Sequence, residues 1–214
     1  DVAAGSWLAL ALRPADRLEA AHLAHPAPAA PRLLDGHLQG EAPFVLAAPG
    51  TAAVVVLANE DGQWVRVLLP VETPPSLERT GLAATRQFHL RFESQPAIER
   101  LGPADPAALW ATHAVGLAAV AAGNARGALT AARAYAGERY QGGALIQEHP
   151  AVRDLLAGAA ARVTLAETAL SALDTDPDLA TALSLKHRIA EDARVAVSDC
   201  LQVLGGYGYM EEYR

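Results

Sequence analysis

The 214-residue sequence predicts an α+β protein in which a small antiparallel β-sheet or barrel is followed by an antiparallel helical bundle. Residues 32–93 contain short β-branched or alternating segments separated by turn residues, which is typical of an antiparallel sheet. Residues 106–206 contain long alanine- and leucine-rich segments whose apolar positions recur with helical spacing. The change in composition near Gly102-Pro103 predicts two domains: a β-domain with an irregular lead-in, residues 1–103, and a helical bundle, residues 104–214.

The composition and the net charge indicate which classes of protein the chain can belong to. Hydrophobic residues make up 51% and charged residues 19%, so the chain can bury a core. No apolar run approaches the ~20 residues of a membrane span. The net charge of −7, without a Lys/Arg cluster, argues against nucleic-acid binding. Cys200 is the only cysteine and lies in an apolar helical segment, which predicts a buried, unreactive thiol and a cytoplasmic location.

The β-domain is predicted to begin with a short strand at residues 7–12 and a proline-interrupted loop. Asp35-Gly36 lies between two apolar segments and is a strong hairpin signal. AAVVVLA, residues 52–58, predicts a strand buried on both faces, and NEDG, residues 59–62, predicts the turn into a return strand at residues 63–70. QFHLRFES, residues 87–94, alternates apolar and polar side chains, so one face of this strand is expected to be buried.

Three helices are predicted in the bundle. The first, residues 106–137, contains glycines that cost about 1 kcal/mol each in a helix, which favours very close packing by its neighbours. The second begins at Pro150 and has a clear apolar stripe along one face: Val152, Leu155, Leu156, Ala159, Val163, Ala166, Leu170 and Leu173.

The third helix follows the break DTDPD. Asp176 is expected to cap its N-terminus, with Pro177 in the first turn. Its predicted buried face is Leu185, Ile189, Ala193, Val197, Leu201 and Leu204. Gly205 is expected to end the helix in a left-handed conformation.

Two glycine-containing turns are the candidate binding elements. Gly205-Gly206 exposes backbone at the end of the third helix, with the Gln202 amide one turn earlier. Arg139 and Gln141 precede Gly142-Gly143 between the first two helices. A guanidinium next to bare backbone N–H groups suits a phosphate or diphosphate. Each turn taken alone is better explained as a helix cap or a helix–helix connection.

The order of these motifs resembles the acyl-CoA dehydrogenase family. Gln202-Val203-Leu204-Gly205-Gly206-Tyr207-Gly208-Tyr209 is similar to that family's Gln-x-x-Gly-Gly-x-Gly-Tyr stretch. Arg139-Tyr140-Gln141-Gly142-Gly143 is similar to its Arg-x-Phe-Gly-like turn, with Gly142 in place of the phenylalanine. Lys186 matches a lysine that precedes the last motif, and the likeness extends over about residues 33–214.

The resemblance implies an FAD flavoprotein of fatty acid metabolism. Such enzymes oxidise an acyl-CoA thioester at Cα–Cβ and pass the electrons to an electron-transfer flavoprotein. By match, Arg139, Gln141, Gln202, Gly205 and Gly206 would hold the adenosine and diphosphate end of FAD across subunits. The expected partners are therefore an acyl-CoA, an electron-transfer flavoprotein and a related subunit in a homo- or hetero-oligomer.

The catalytic base is the part of the family pattern that the sequence does not supply. The family's usual position for the base lies beyond Arg214, and its N-terminal helical domain is expected to be absent. Some members carry the base on the first bundle helix, where the corresponding site is near His113 and where residues 106–137 contain no carboxylate. Three alternatives therefore stay open: an enzyme, a non-catalytic structural subunit that supplies part of the FAD site, and a bundle that has lost flavin. His22 and His25 lack the neighbouring carboxylates of a metal site, and no metal is predicted.

Overall fold

The computed structural model describes residues 7–11, 30–47, 51–70 and 86–210. The chain is α+β, as predicted, and divides into two compact units, residues 1–109 and 110–214. The predictions for the loop at residues 13–29, which includes His22 and His25, and for residues 211–214 lie outside the described residues.

The first unit is built on a seven-stranded sheet. Its strands are β1 (Trp7–Ala11), β2 (Arg32–Leu34), β3 (His37–Ala47), β4 (Thr51–Glu60), β5 (Gln63–Pro70), β6 (Arg86–Pro96) and β7 (Glu99–Pro103). The predicted hairpins are present: β2 pairs with β3 around Asp35-Gly36, and β4 pairs with β5 around Asp61-Gly62. All four turn residues have positive φ, between 48° and 83°, which is the backbone that Asp-Gly supplies most readily.

Burial in the sheet follows the predicted patterns. Residues 53–58 of β4 are all buried, as expected for a strand covered on both faces. On β6, Phe92 is buried and Leu90 packs against the core, whereas His89 and Arg91 are exposed and bond the Glu41 carboxylate of β3. The sheet core consists mainly of Val, Leu and Ala side chains, with Leu38, Val56, Val67 and Leu69 fully enclosed.

Two features of the sheet differ from the prediction. β4 pairs in parallel with both β1 and β2, so the sheet is not purely antiparallel. These pairings join strands that are distant in the sequence, whereas turn signals report only adjacent hairpin partners. β7, which pairs with β5, was not predicted. Its residues 99–101 are exposed, and the segment therefore lacks the apolar alternation that reveals a strand.

The second unit contains three long helices: α1 (Pro106–Glu138), α2 (Pro150–Ser171) and α3 (Leu179–Leu204). The start of α1 packs against the start of α3, and the second half of α1 packs against the first half of α2 and the second half of α3. The helices therefore run up, down and up, as predicted. α1 is the one described helix long and apolar enough to cross a bilayer, a test that core helices of water-soluble proteins also pass.

Alanines, not glycines, make the close contacts of α1. Its buried face is Ala111, Ala114, Ala118, Ala122, Ala125, Leu129, Ala132 and Ala136. A Cβ added at Gly116, Gly123 or Gly127 would meet no atom within 4 Å. The buried face of α1 therefore consists mainly of alanines, and these three glycines lie where no described residue packs against them.

The predicted buried face of α3 was wrong at Leu201 and incomplete elsewhere. Leu201 is exposed, and Ala196, Cys200 and Val203 are buried in addition to Ile189, Ala193 and Leu204. The prediction advanced by four residues at each step from Leu185 to Leu201. Each such step rotates the direction of the side chain by about 40° around a helix of 3.6 residues per turn. After four steps, Leu201 therefore faces away from the core. Cys200 is enclosed as predicted, and burial raises the pKa of its thiol.

The N-cap of α3 is Asp178, not Asp176. The Asp178 carboxylate accepts hydrogen bonds from the Thr181 backbone N–H at 2.9 Å and from the Thr181 hydroxyl at 2.7 Å. Both residues Asp176 and Asp178 satisfy the general preference for a capping carboxylate. Only Asp178 has a threonine three residues later, and this pairing selects it.

Replacing Asp178 by alanine is expected to lower the Tm by about 2–4 °C at neutral pH, since the cap satisfies otherwise free N–H groups. The Thr181 hydrogen bonds lower the pKa of Asp178 in the folded chain. The contribution is therefore complete above the unfolded pKa of about 3.9 and is lost as the pH falls through the lower folded value. Thermal unfolding from pH 7 to pH 2.5 checks this. Asp176→Ala is the matched control, and an equal loss in both variants would contradict the assignment.

Candidate functional site

The two predicted binding turns lie at the same end of the helical unit. α1 and α3 run in the same direction, so Arg139 directly after α1 and Gly205 directly after α3 share that end, where α2 also begins. The guanidinium carbon of Arg139 lies 5.9 Å from the centre of the Tyr207 ring. We call the five predicted residues of these two turns the Arg139 corner: Arg139, Gln141, Gln202, Gly205 and Gly206.

The Arg139 turn is a small β-hairpin. Tyr140 and Gln141 pair with Leu145 and Ala144, and Gly142 and Gly143 have φ of 64° and 88°. The Tyr140 hydroxyl donates to the Gly143 carbonyl at 2.6 Å. His149 Nε2 lies 2.9 Å from the Gln141 carbonyl oxygen. In the tautomer that carries the proton on Nε2, this nitrogen donates a hydrogen bond to that oxygen. The hairpin is therefore tied to the start of α2, while the side chain of Gln141 remains exposed.

Arg139 has a fixed backbone and an exposed side chain. Its N–H donates to the Tyr135 carbonyl and its carbonyl accepts from the Ile146 N–H, both at 2.9 Å. Within the described part of the chain, no carboxylate forms an ion pair with its guanidinium. All five guanidinium N–H donors are thus free of an anionic partner among these residues, which is the state that a phosphate ligand requires.

The Gly205 turn leaves backbone exposed. The Gly205 N–H donates to the carbonyls of Gln202 and Leu201, and the chain continues as a 3-10 segment, Gly205–Tyr209. Gly205 has φ 58° and ψ −133°, so the predicted positive φ is present but the conformation is not the left-handed helical one. Among the described residues, no atom would lie within 4 Å of a Cβ at Gly205 or Gly206, so these residues leave room for a ligand to approach the main chain.

The two adjacent glycines are expected to respond differently to substitution. Gly205→Ala places a Cβ on a backbone that is essentially restricted to glycine and is expected to destabilise the folded chain by about 1–3 kcal/mol. Gly206→Ala, the matched control, introduces no positive-φ strain, since Gly206 lacks a positive φ, and should change stability little. Urea unfolding of both variants measures the difference. Equal effects would show that the strained turn at Gly205 is not formed.

Helix ends and Arg139 place charges of both signs at this end of the helical unit. Both turns follow helix C-termini, whose carbonyls carry partial negative charge and disfavour an anion. The start of α2 contributes partial positive charge, and Arg139 contributes a full one. Anion binding at this end would therefore depend on the guanidinium and on turn N–H groups, not on the dipoles of α1 and α3.

His113, the residue nearest the alternative position for a base, lies far from this corner. It is in the second turn of α1, about 39 Å along the helix axis from Arg139. The half-buried ring contacts Trp110 edge-on, with ring centres 5.8 Å apart. Burial lowers the pKa of His113, and the nearby Lys186 ammonium lowers it further, so the imidazole is neutral at pH 7. No group of three or more His, Cys, Asp or Glu side chains converges in the described residues.

Two aromatic residues of this site were not predicted as functional. Tyr135 and Tyr207 have ring centres 5.8 Å apart, beside Arg139. Tyr207 was visible inside the glycine motif, and Tyr135 lies four residues before Arg139, on the same helix face. The spacing of Tyr135 and Arg139 could have indicated that these two side chains are neighbours. Only the fold shows that the two motifs meet.

Comparison with known proteins finds a similar family for the helical part. Residues 111–214 match the family model described as acyl-CoA dehydrogenase, C-terminal domain. No curated protein matches the chain.

Three solved structures have a similar fold. Butyryl-CoA dehydrogenase from Megasphaera elsdenii is 21% identical, with a TM-score of 0.77 over 98% of this chain and 60% of the other. Glutaryl-CoA dehydrogenase from Mycobacterium smegmatis, in complex with FADH2, is 19% identical, with a TM-score of 0.78 over 97% and 58%. A chain in the structure of the electron transferring flavoprotein of Acidaminococcus fermentans is 24% identical, with a TM-score of 0.75 over 97% and 60%. The present sequence thus spans about 60% of the length of these chains.

Proposed function

We propose, from the match of residues 111–214 to the family model of the acyl-CoA dehydrogenase C-terminal domain, that the chain binds FAD and takes part in the α,β-dehydrogenation of an acyl-CoA thioester. The observation that carries the proposal is the Arg139 corner. The corner combines an exposed guanidinium without a carboxylate partner among the described residues and exposed glycine backbone at Gly205 and Gly206.

The corner fits the diphosphate of FAD chemically. A guanidinium forms short, charge-assisted bonds to phosphate oxygens, and bare backbone allows close approach of main-chain N–H groups. The exposed amides of Gln141 and Gln202 can add neutral donors for ribose or phosphate oxygens. The glutaryl-CoA dehydrogenase of similar fold was solved with FADH2, which supports the same class of cofactor here.

The proposed reaction separates a proton and a hydride. Such a reaction requires a base that takes the proton from Cα of the thioester and an acceptor for the hydride from Cβ. FAD, when bound, supplies the two-electron acceptor, and an electron-transfer flavoprotein is the proposed next acceptor. The role of this chain's corner is to bind and orient the cofactor end remote from that chemistry. The proposed assembly is a homo- or hetero-oligomer with an acyl-CoA dehydrogenase-like subunit, located in the cytoplasm.

The second candidate function is a non-catalytic structural subunit. It is favoured by the lack of any carboxylate from residue 106 to residue 137 of α1. In this case the chain supplies the Arg139 corner and the assembly surface, and a partner subunit supplies the base.

An absorption spectrum separates the two candidates. We expect the purified protein, in the assembly that it forms, to carry flavin absorbance. Bleaching of that absorbance by an acyl-CoA under anaerobic conditions supports the enzyme, and flavin without bleaching supports the structural subunit. Absence of flavin, even after incubation with FAD and a partner subunit, would refute both.

A further inference from the structure

We propose that Tyr207 is a positioning residue that holds the Arg139 guanidinium in place for its ligand. The consequence for cofactor binding rests on the function proposed above. The positioning itself does not, because it is a statement about two side chains of the free protein.

The geometry is a cluster of three side chains that meet at the Tyr207 ring. The Tyr207 ring lies 5.8 Å from the Tyr135 ring, at 52°, and its centre lies 5.9 Å from the Arg139 guanidinium carbon. Tyr135 and Arg139 project from the same face at the end of α1, because they are four residues apart. Tyr207, from the other motif, therefore contacts both and joins the two turns of the corner.

The backbone around Tyr207 explains how its ring is aimed. Gly205 turns the chain out of α3 with its positive φ. The following segment packs so closely on α3 that a Cβ at Gly208 would lie 3.2 Å from the Leu201 carbonyl oxygen. The Met210 N–H donates to the Tyr207 carbonyl at 3.0 Å and closes the segment. The glycines of the motif thus have two roles: they expose the backbone, and they determine where the Tyr207 ring lies.

Tyr207 restricts a side chain that would otherwise be mobile. An exposed arginine has many rotamers, and ordering it costs binding free energy when a ligand arrives. A ring beneath the guanidinium favours one orientation through the cation–π interaction and leaves the N–H edges free for hydrogen bonds. At an exposed site such a contact corresponds to about twofold to fivefold in affinity.

The matched residue for a test is Tyr209. It belongs to the same 3-10 segment but is 83% exposed, against 38% for Tyr207. The variants are Tyr207→Leu, which removes the ring, Tyr207→Phe, which keeps it, and Tyr209→Leu. Thermal unfolding of each establishes that the fold is retained.

The first measurement is the ring-current shift of the Arg139 side-chain Nε–H signal by NMR in the protein without FAD. We expect the shift to be lost in Tyr207→Leu and kept in Tyr207→Phe and in Tyr209→Leu. A signal unaffected by Tyr207→Leu would overturn the proposal, whether or not the protein binds FAD.

The second measurement is the dissociation constant for FAD. Tyr207→Leu is expected to weaken binding about twofold to fivefold, with recovery in Tyr207→Phe. Equal weakening in Tyr207→Leu and Tyr209→Leu would overturn the positioning role. If the unaltered protein binds no FAD while the NMR pattern holds, the proposed function fails and the positioning of Arg139 stands.

Discussion

Replacing Arg139 by alanine is expected to weaken FAD binding by about tenfold to a hundredfold. Arg139 is the positive group of the corner, and both α1 and α3 end there with partial negative charge. Without the guanidinium, a diphosphate would face two helix C-termini, and only the start of α2 and neutral donors would favour its binding. Fluorescence titration of FAD against the two proteins measures the change.

The controls for this variant separate charge from geometry. Arg194→Ala removes an arginine of α3 that is engaged with Glu191, and it should leave FAD binding unchanged. Arg139→Lys keeps the charge but loses the planar fork of donors, so an intermediate affinity is expected. Equal affinity of Arg139→Ala and the unaltered protein for FAD would show that the guanidinium does not contribute to FAD binding.

Replacing Leu129 by alanine is expected to cost about 2–5 kcal/mol of the free energy of unfolding. Leu129 is 1% exposed and is the one large side chain on the buried face of α1, where every other member is alanine. Small neighbours on its own helix offer no long side chains to refill the cavity, so a value in the upper half of the range is expected. Urea unfolding followed by far-UV circular dichroism measures it.

Leu165→Ala is the matched control for the core substitution. This leucine lies on α2 and is 66% exposed, so its truncation should change the free energy of unfolding by less than about 0.5 kcal/mol. A comparable loss in the two variants would mean that α1 does not bury its alanine face as described.

The elements that the sequence predicted best are those with a local signal. Asp-Gly pairs identified both β-hairpins, the β-branched run identified β4, and Pro150 identified the start of α2. In each case the preference is satisfied by neighbouring residues alone. α2 followed its predicted stripe as far as Leu170, because the apolar positions mix steps of three and four as a helix requires, whereas Leu173 lies beyond the end of the helix.

The strand and the strand pairings that were missed depend on distant parts of the chain. β7 exists because β5 offers it a partner, and the parallel pairings of β4 join strands far apart in the sequence. The exposed position of Leu201 follows from an accumulated rotation that no local preference reports. Asp178 rather than Asp176 caps α3 because of its side-chain partner Thr181.

Each motif of the candidate site was predicted from the sequence, but the spatial arrangement of the two motifs was not. Arg139, Gln141, Gln202, Gly205 and Gly206 were identified from residue types and from a resemblance, and their role remains a prediction. The contact between Arg139 and Tyr207 depends on α1 and α3 ending at the same end of the unit. That property belongs to the up-down-up arrangement of the helices and is absent from either motif alone.

The most direct test of the account is a comparison of FAD with riboflavin, which has the same isoalloxazine ring but lacks the diphosphate and the adenosine. Equilibrium dialysis of the protein, in the assembly that it forms, measures both affinities, with ADP as a competitor. If the Arg139 corner grips the diphosphate, FAD binds about a hundredfold more tightly than riboflavin, and ADP displaces it. Equal affinities for the two flavins, or FAD binding that ADP leaves unchanged, would contradict the account.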